Sequence, residues 1–270
     1  MERYIYLAGG FGNNLFQICY GLYLEKKGYK VIYKTFLRQK NLFTTMFSWS
    51  IHNDEMIESL LTTKTCDSKI KFSDIVFLTY TILTKKIFKL NLYDINSKTI
   101  TNKRYFGYCA SGEHLSDSIF QELREMLKSY YGEYIQNKDS NCCSLHIRRG
   151  DFSENHRLCL DYYLDAVEKI EGLDAINLVT DDPSVLHLVK ERFGVRVNIS
   201  ENSNMKEDFF ELFNSKKVVM SNSTFCYWAV VLGDADFAIY PNRISTAVPW
   251  FFYMNKKSDS IECLFDSEKA

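Results

Sequence analysis

With 270 residues, 46% of them hydrophobic and 25% charged, the chain is long enough to bury one or two cores and has an ordinary globular balance. A net charge of −1 argues against general nucleic-acid binding, and eight cysteines without a CxxC pair or metal-ligand spacing to histidine read as reduced thiols, not a disulfide framework. The longest apolar stretch, residues 75–83, is too short to cross a bilayer and no signal peptide opens the chain, so a cytoplasmic protein is expected. Aromatic residues make up 15%, which core packing explains first and sugar stacking second.

In chain order, residues 4–8 read as a strand. The turn Gly9-Gly10-Phe11-Gly12-Asn13 follows, then a helix over about 14–27 closed by Gly28, and a strand at 29–33. Strand, glycine turn and helix offer backbone amides and a positive helix end to an anion. No Gly-Lys-Ser/Thr follows and the dinucleotide spacing is absent, which counts against a Walker-type kinase. Residues 64–104 hold nine Lys/Arg against three Asp, with Phe72, Phe77, Tyr80, Phe88 and Tyr93 interleaved. This segment reads either as a solvated helical face or as a basic, aromatic surface for anionic lipid or a pyrophosphate-linked acceptor.

Beyond about residue 138 strands and helices alternate clearly. Strands are expected at 142–147, 175–180, 195–199, 217–220 and 237–240. Helices are expected at 161–171, 183–193, 205–214 and 224–233, the third opened by a capping-box pattern from Asn204 to Glu207. Such alternation implies a parallel, doubly wound sheet. The chain is therefore read as two α/β halves, 1–138 and 139–270.

Three segments carry the chemistry. His146-Ile147-Arg148-Arg149-Gly150-Asp151 stands at the carboxyl end of a strand, where α/β sheets bind ligands. A guanidinium at that place suits a phosphate, because its planar fork donates two parallel hydrogen bonds. Ser221-Asn222-Ser223-Thr224 follows a β-branched run and opens an apolar helix, so these residues are either caps alone or holders of phosphate oxygens. Val179-Thr180-Asp181-Asp182 ends another strand, and Pro183 starts a helix directly after it.

The segments GGFGNNLFQ, HIRRGDF and SNSTFCYWA, in that order, resemble the α-1,2-fucosyltransferases of glycosyltransferase family 11. That family shows GGLGNQxFQ, HxRRGD and SNSTFSWW, together with a strand-end Ser/Thr-Asp-Asp. Asn14 replaces the usual Gln, Cys226 the Ser, and Tyr227 the first Trp. The resemblance spans residues 4 to 240. It implies a GT-B-like fold of two Rossmann-type halves facing a cleft, the first on the acceptor side and the second binding GDP-fucose. It also implies a bacterial, cytoplasmic member, peripheral on the inner face of the cytoplasmic membrane if its acceptor is lipid-linked.

The implied reaction moves L-fucose from GDP-fucose, with inversion, to the 2-hydroxyl of a terminal β-galactoside in a surface glycan such as an O-antigen repeat. No metal and no cofactor is expected, since no acidic cluster of the DxD type stands at a strand end. Arg148 would clamp the β-phosphate while Ser223 and Thr224, with the helix N-terminus behind them, hold the remaining oxygens, and Ser221 and Phe225 would also belong to the donor site. Asp181 or Asp182 would read the guanine edge or cap a helix, and His146 would reach the base or ribose or sit in the core. Gly10, Gly12 and Asn13 would face donor or acceptor from the other half. Asp151, Glu154 and His156 are the candidates for the base, and Asp151 could instead orient Arg149. The rival functions are a fucosyltransferase of another linkage, such as α-1,6, and a non-catalytic nucleotide- or glycan-binding protein.

Overall fold

The computed structural model describes residues 1–46, 54–87, 103–110, 114–138, 141–150, 157–199, 204–241 and 261–264. The chain divides into two compact units, Met1–Tyr130 and Tyr131–Ala270. The division falls a few residues before residue 138. Tyr131 and Tyr134 pack on Phe210 of the second unit, with ring centroids 5.8 and 5.4 Å away.

In the first unit, β1 (Glu2–Tyr6), β2 (Lys30–Lys34), β3 (Cys66–Asp67) and β4 (Arg104–Phe106) form a parallel sheet in the order β3-β2-β1-β4. Between β1 and β2 runs α1 (Phe11–Lys26), which buries twelve of its sixteen residues and so has little polar face. It starts at Phe11, earlier than expected, because Gly10 takes an extended N-cap conformation and lets the helix begin at once. The helices α2 (Leu42–Met46), α3 (Glu55–Leu61), α4 (Phe72–Ile87) and α5 (Asp117–Tyr131) complete the unit. In α5, Ile119, Phe120, Leu123 and Leu127 are buried at helical spacing, which fixes its inner face. The Asp54 side chain caps α3 by accepting from the amides of Met56 and Ile57.

A buried ion cluster stands at the carboxyl end of β2. Lys34, 1% exposed, meets Asp67 at 2.8 Å and Asp74 at 3.0 Å, and donates to the Lys69 carbonyl at 2.7 Å. The Tyr6 hydroxyl donates to Asp74 at 2.6 Å. Several partners offset the desolvation of a single ammonium, so a removed partner would leave an uncompensated buried charge.

The second unit holds β5 (Cys142–Ile147), β6 (Ala175–Thr180), β7 (Val197–Ile199), β8 (Lys217–Val219), β9 (Phe237–Pro241) and β10 (Ile261–Leu264). Their order is β10-β9-β8-β5-β6-β7 and every pairing is parallel. The crossovers are α6 (Leu160–Glu168), α7 (Leu186–Phe193), α8 (Met205–Phe213) and α9 (Thr224–Leu232). The expected capping box is present: Asn204 accepts from the amides of Lys206 and Glu207, and Glu207 reaches back to the Asn204 amide. Leu145 and Ile147 of central β5 are fully buried, worth about 1.5–3 kcal/mol each relative to exposure. Residues 183–193 are not one helix: a 3-10 turn, Pro183–Val185, precedes α7.

Both units wind alike. The chain lays down two strands outward from the first (β1, β2, β3; β5, β6, β7), then returns to pair the next strand on the first strand's free edge (β4 on β1; β8 on β5). Each unit is thus α/β and Rossmann-type, with a switch point beside its first strand.

Candidate functional site

In the second unit the switch point lies between β5 and β8. The ends of these strands carry two of the three motifs of the sequence, those beginning at His146 and Ser221. One hydrogen bond ties them: the Ser221 hydroxyl lies 2.7 Å from His146 Nδ1. Both residues are buried, and the imidazole lies 5.9 Å from the Phe225 ring. Burial, and then the nearby charge of Arg148, hold the His146 imidazole far below its ordinary value, at about 3. His146 is therefore neutral at physiological pH, with one ring nitrogen a donor and the other an acceptor. Ser221 is wholly buried and holds His146 through that contact.

Strand β5 ends at Ile147, and the next three residues wrap around the carboxylate of Asp181 at the end of neighbouring β6. Arg148 Nη1 meets Asp181 Oδ2 at 3.0 Å, and the Arg149 amide donates to Asp181 Oδ1 at 2.8 Å. A Cβ at Gly150 would come within 2.9 Å of the same carboxylate, so the turn closes on Asp181 only because residue 150 is glycine. Arg149 Nε lies 3.6 Å from Asp182, and Asp182 accepts from the amide and hydroxyl of Ser184. The Ser184 contacts, foremost, keep the Asp182 carboxyl below its usual range. Both acids thus face cations or a capped turn within their own loops. The Arg148 side chain remains about one-third exposed.

On the β8 side, Ser223 is the N-cap of α9 and accepts from the Phe225 amide at 3.2 Å. Its hydroxyl proton remains available to an outside acceptor. Thr224 occupies the first helical position, where backbone amides lack intrahelical partners. The Tyr162 hydroxyl donates to the Met220 carbonyl at 2.9 Å and fixes the end of β8 to α6.

In the first unit the glycine turn also stands at a switch point, between β1 and β4. Gln17, fully buried in α1, accepts from the Ala8 amide at 3.0 Å and donates to the Gly107 carbonyl at 2.9 Å. Asn14 Nδ2 donates to the carbonyls of Gly9 and Gly10 at 2.7 and 2.9 Å. Gly9 takes φ +84°, and a Cβ there would meet Asn13 and Tyr108 within 3 Å. Gly10 has open space where a Cβ would be, while Gly12 lies buried in the first turn of α1. Asn13 Oδ1 is buried without a hydrogen-bond partner.

Of the residues singled out in the sequence, His146, Arg148, Asp181, Asp182, Ser221, Ser223, Thr224 and Phe225 fall on the three neighbouring strand ends of the second unit. Gly10, Gly12 and Asn13 fall on the glycine turn of the first. Asp151, Glu154 and His156 lie outside the described residues. Gly9, Asn14 and Gln17 lie within the glycine motif, but sequence reasoning gave them no partners, and it left out Tyr162, whose partner is distant in sequence. Among the described residues, no three His, Cys, Asp or Glu side chains group as a metal ion would need, the cysteines from Cys19 to Cys226 are free thiols, and no helix is long and apolar enough to cross a membrane.

A family model described as glycosyl transferase family 11 matches residues 5–240. An alpha-1,2-colitosyltransferase of Escherichia coli is 25% identical over 283 residues, covering 91% of each chain. Among solved structures, the fucosyltransferase NodZ from Bradyrhizobium aligns at 15% identity and TM-score 0.45, over 86% of this chain and 94% of its own. The E. coli heptosyltransferase WaaC aligns at 9% identity and TM-score 0.43, over 98% and 93%.

Proposed function

The chain belongs to glycosyl transferase family 11, and from that premise we propose that it transfers L-fucose from GDP-fucose to the 2-hydroxyl of a terminal β-galactoside, as in a bacterial O-antigen repeat. The observation that carries the reading is the placement of Arg148 and the N-terminus of α9 on the adjacent β5 and β8 strand ends, at the switch point. A diphosphate leaving group needs such a place: a charged fork on one side, helix amides and a hydroxyl on the other.

In the proposed reaction the bond from the anomeric carbon to the β-phosphate oxygen breaks, and its electron pair stays on that oxygen. Arg148 neutralises the charge as it develops, with Ser223 and the first amides of α9 holding the remaining oxygens. Asp181 keeps the guanidinium aimed and takes no part in the bond changes. His146, neutral and fixed by Ser221, faces the nucleoside as a hydrogen-bonding group. The acceptor oxygen attacks from the opposite face of the sugar, forming the α-linked product. Its proton passes to a base among Asp151, Glu154 and His156. The two arginine–carboxylate contacts, Arg148–Asp181 and Arg149–Asp182, support a phosphate site served by side-chain cations without a divalent metal. Gly10, Gly12 and Asn13 would serve the acceptor or the far side of the donor.

A second reading is favoured by one observation. The E. coli relative transfers colitose, which is fucose lacking its 3-hydroxyl, so the donor sugar here could be the deoxy form. The deciding experiment is GDP release from GDP-fucose and from GDP-colitose, with and without a β-galactoside, followed by proton NMR of the product. Release that depends on the galactoside with GDP-fucose, yielding an α-1,2 linkage, supports the primary reading. Activity with GDP-colitose alone transfers the assignment to the second, and a β-linked product overturns inversion.

A further inference from the structure

We propose that α4 is an interfacial surface that seats the protein on an anionic membrane. Among the described residues, eight large hydrophobic side chains are exposed, and five of them, Phe72, Ile75, Val76, Tyr80 and Leu83, stand on this one helix. Phe72 is 81% exposed and Tyr80 68%. The spacing 72, 76, 80, 83 keeps four of them within an arc of about 80° on a helix of 3.6 residues per turn. The opposite face is committed: Asp74 and Leu78 are buried, and Phe77 and Ile82 pack on the core of the first unit. The exposed stripe is therefore not a misread core face. Isolated exposed hydrophobics are ordinary, but a continuous stripe marks a surface that meets something apolar.

Charge names the occupant. The segment 64–104 carries nine basic and three acidic residues. Two of the three acids, Asp67 and Asp74, are held at 2.8 and 3.0 Å by buried Lys34 and reach Lys71 and Arg104 only at 3.9 and 3.8 Å, so they offset the surface charge in part and leave it basic. Lys69 and Lys71 are exposed just before the helix, and Arg104 reaches Ser73 in its first turn at 2.8 Å. Lys85 and Lys86 stand in its last turn. An aromatic and aliphatic stripe with cations at both ends fits the headgroup boundary of an anionic leaflet. A second copy fits poorly, because a two-fold contact places the same patch against itself and brings like charges together. No helix among the described residues is long and apolar enough to span, so the contact would lie in the interface. The inference stands independently of the donor and the linkage.

The test is co-sedimentation of the full chain with vesicles of phosphatidylcholine alone or mixed with phosphatidylglycerol, at low and high salt. Wild type should bind the anionic vesicles at low salt, release at high salt, and ignore pure phosphatidylcholine. Lys69→Gln and Lys71→Gln should each weaken binding about five-fold. The double variant Phe72→Gln/Tyr80→Gln should lower it about ten-fold or more without moving the thermal midpoint, since both side chains are exposed. Light scattering on each protein reports association between copies. Absence of wild-type binding, or equal binding by the variants, overturns the proposal. A wild-type dimer that the Phe72/Tyr80 variant abolishes also overturns it, and gives the face to a second copy.

Discussion

One carboxylate, that of Asp181, holds the Arg148 guanidinium through one oxygen at 3.0 Å and the Arg149 amide through the other at 2.8 Å. Gly150 lets the backbone close on it. The arginine is thus aimed before any ligand arrives, and less rotamer entropy is lost on binding. The pair is partly exposed, so its own contribution to stability is about 1 kcal/mol or less. Its value should appear in kinetics.

Arg148→Ala should lower kcat/KM by about 10²–10³-fold and weaken GDP binding by calorimetry, with the thermal midpoint nearly unchanged. Arg148→Lys should fail almost as badly, because a point charge does not replace a planar fork. Asp181→Asn keeps an acceptor for the Arg149 amide but removes the charge, so a smaller loss of about ten-fold is expected. A lysine variant with most of the wild-type turnover would sink the bidentate clamp.

Activity should persist in a chelator and gain nothing from added manganese or magnesium. Asp181 and Asp182, the nearest acidic pair, already face Arg148 and Arg149, and a dication there would have to displace those cations. Loss of turnover in EDTA that manganese restores would make the two acids metal ligands.

The glycine turn separates structure from function by a single methyl group. Gly9→Ala places a Cβ at φ +84° and against Asn13 and Tyr108, and should cost about 1–2 kcal/mol or more in urea unfolding. Gly10→Ala meets nothing within 4 Å in the protein. Its stability should stay close to wild type while turnover falls, because among the described residues the added methyl meets only open space, on the turn proposed to face a ligand. Full activity in Gly10→Ala would remove that residue from the site.

The motif residues were legible because each lies in a local pattern: a strand end, a glycine run, a capped helix. Their partners were not. Asp181 looks from its sequence like a free carboxylate at a strand end. Its role as an anchor for the Arg148 turn depends on β6 lying beside β5, which only the sheet order decides. In the glycine run all three glycines allow a positive φ, yet Gly9 alone of them adopts it, and no local signal distinguishes three near-adjacent glycines. Gln17 bridges Ala8 to Gly107, the latter ninety residues from Gln17, so its structural part is invisible before folding. The alternation after residue 138 predicted most of the second unit because strands and helices there are regular. The first unit was harder, since β3 has two residues and β4 three, too few to establish a period.

Acid should destabilise the fold through its buried histidines before its carboxylates titrate. Unfolded, His146 and His114 take up protons near 6.5. Folded, burial holds them down, to about 3 and about 4. Between those values the unfolded chain binds more protons, so stability rises with pH through the window and is lost as pH falls below about 6.5. Above 6.5 both states are neutral and these residues add no slope. Each should contribute about 1.4 kcal/mol per pH unit well inside the window. Below about 4 the lowered carboxyls of Asp67 and Asp74 add a further loss in the same direction as they protonate. Urea unfolding at pH 7.5, 6 and 5 measures this. His146→Asn should reduce the slope between pH 6 and 5 by about one proton's worth and leave the pH 7.5 to 7 region flat. The same neutrality predicts that no ionisation of His146 appears near 6.5 in the pH–rate profile, so an inflection there belongs to another group. A His146→Asn slope identical to wild type would show that the imidazole is charged or solvated in the native state, and would remove it as the neutral, Ser221-held partner of the site.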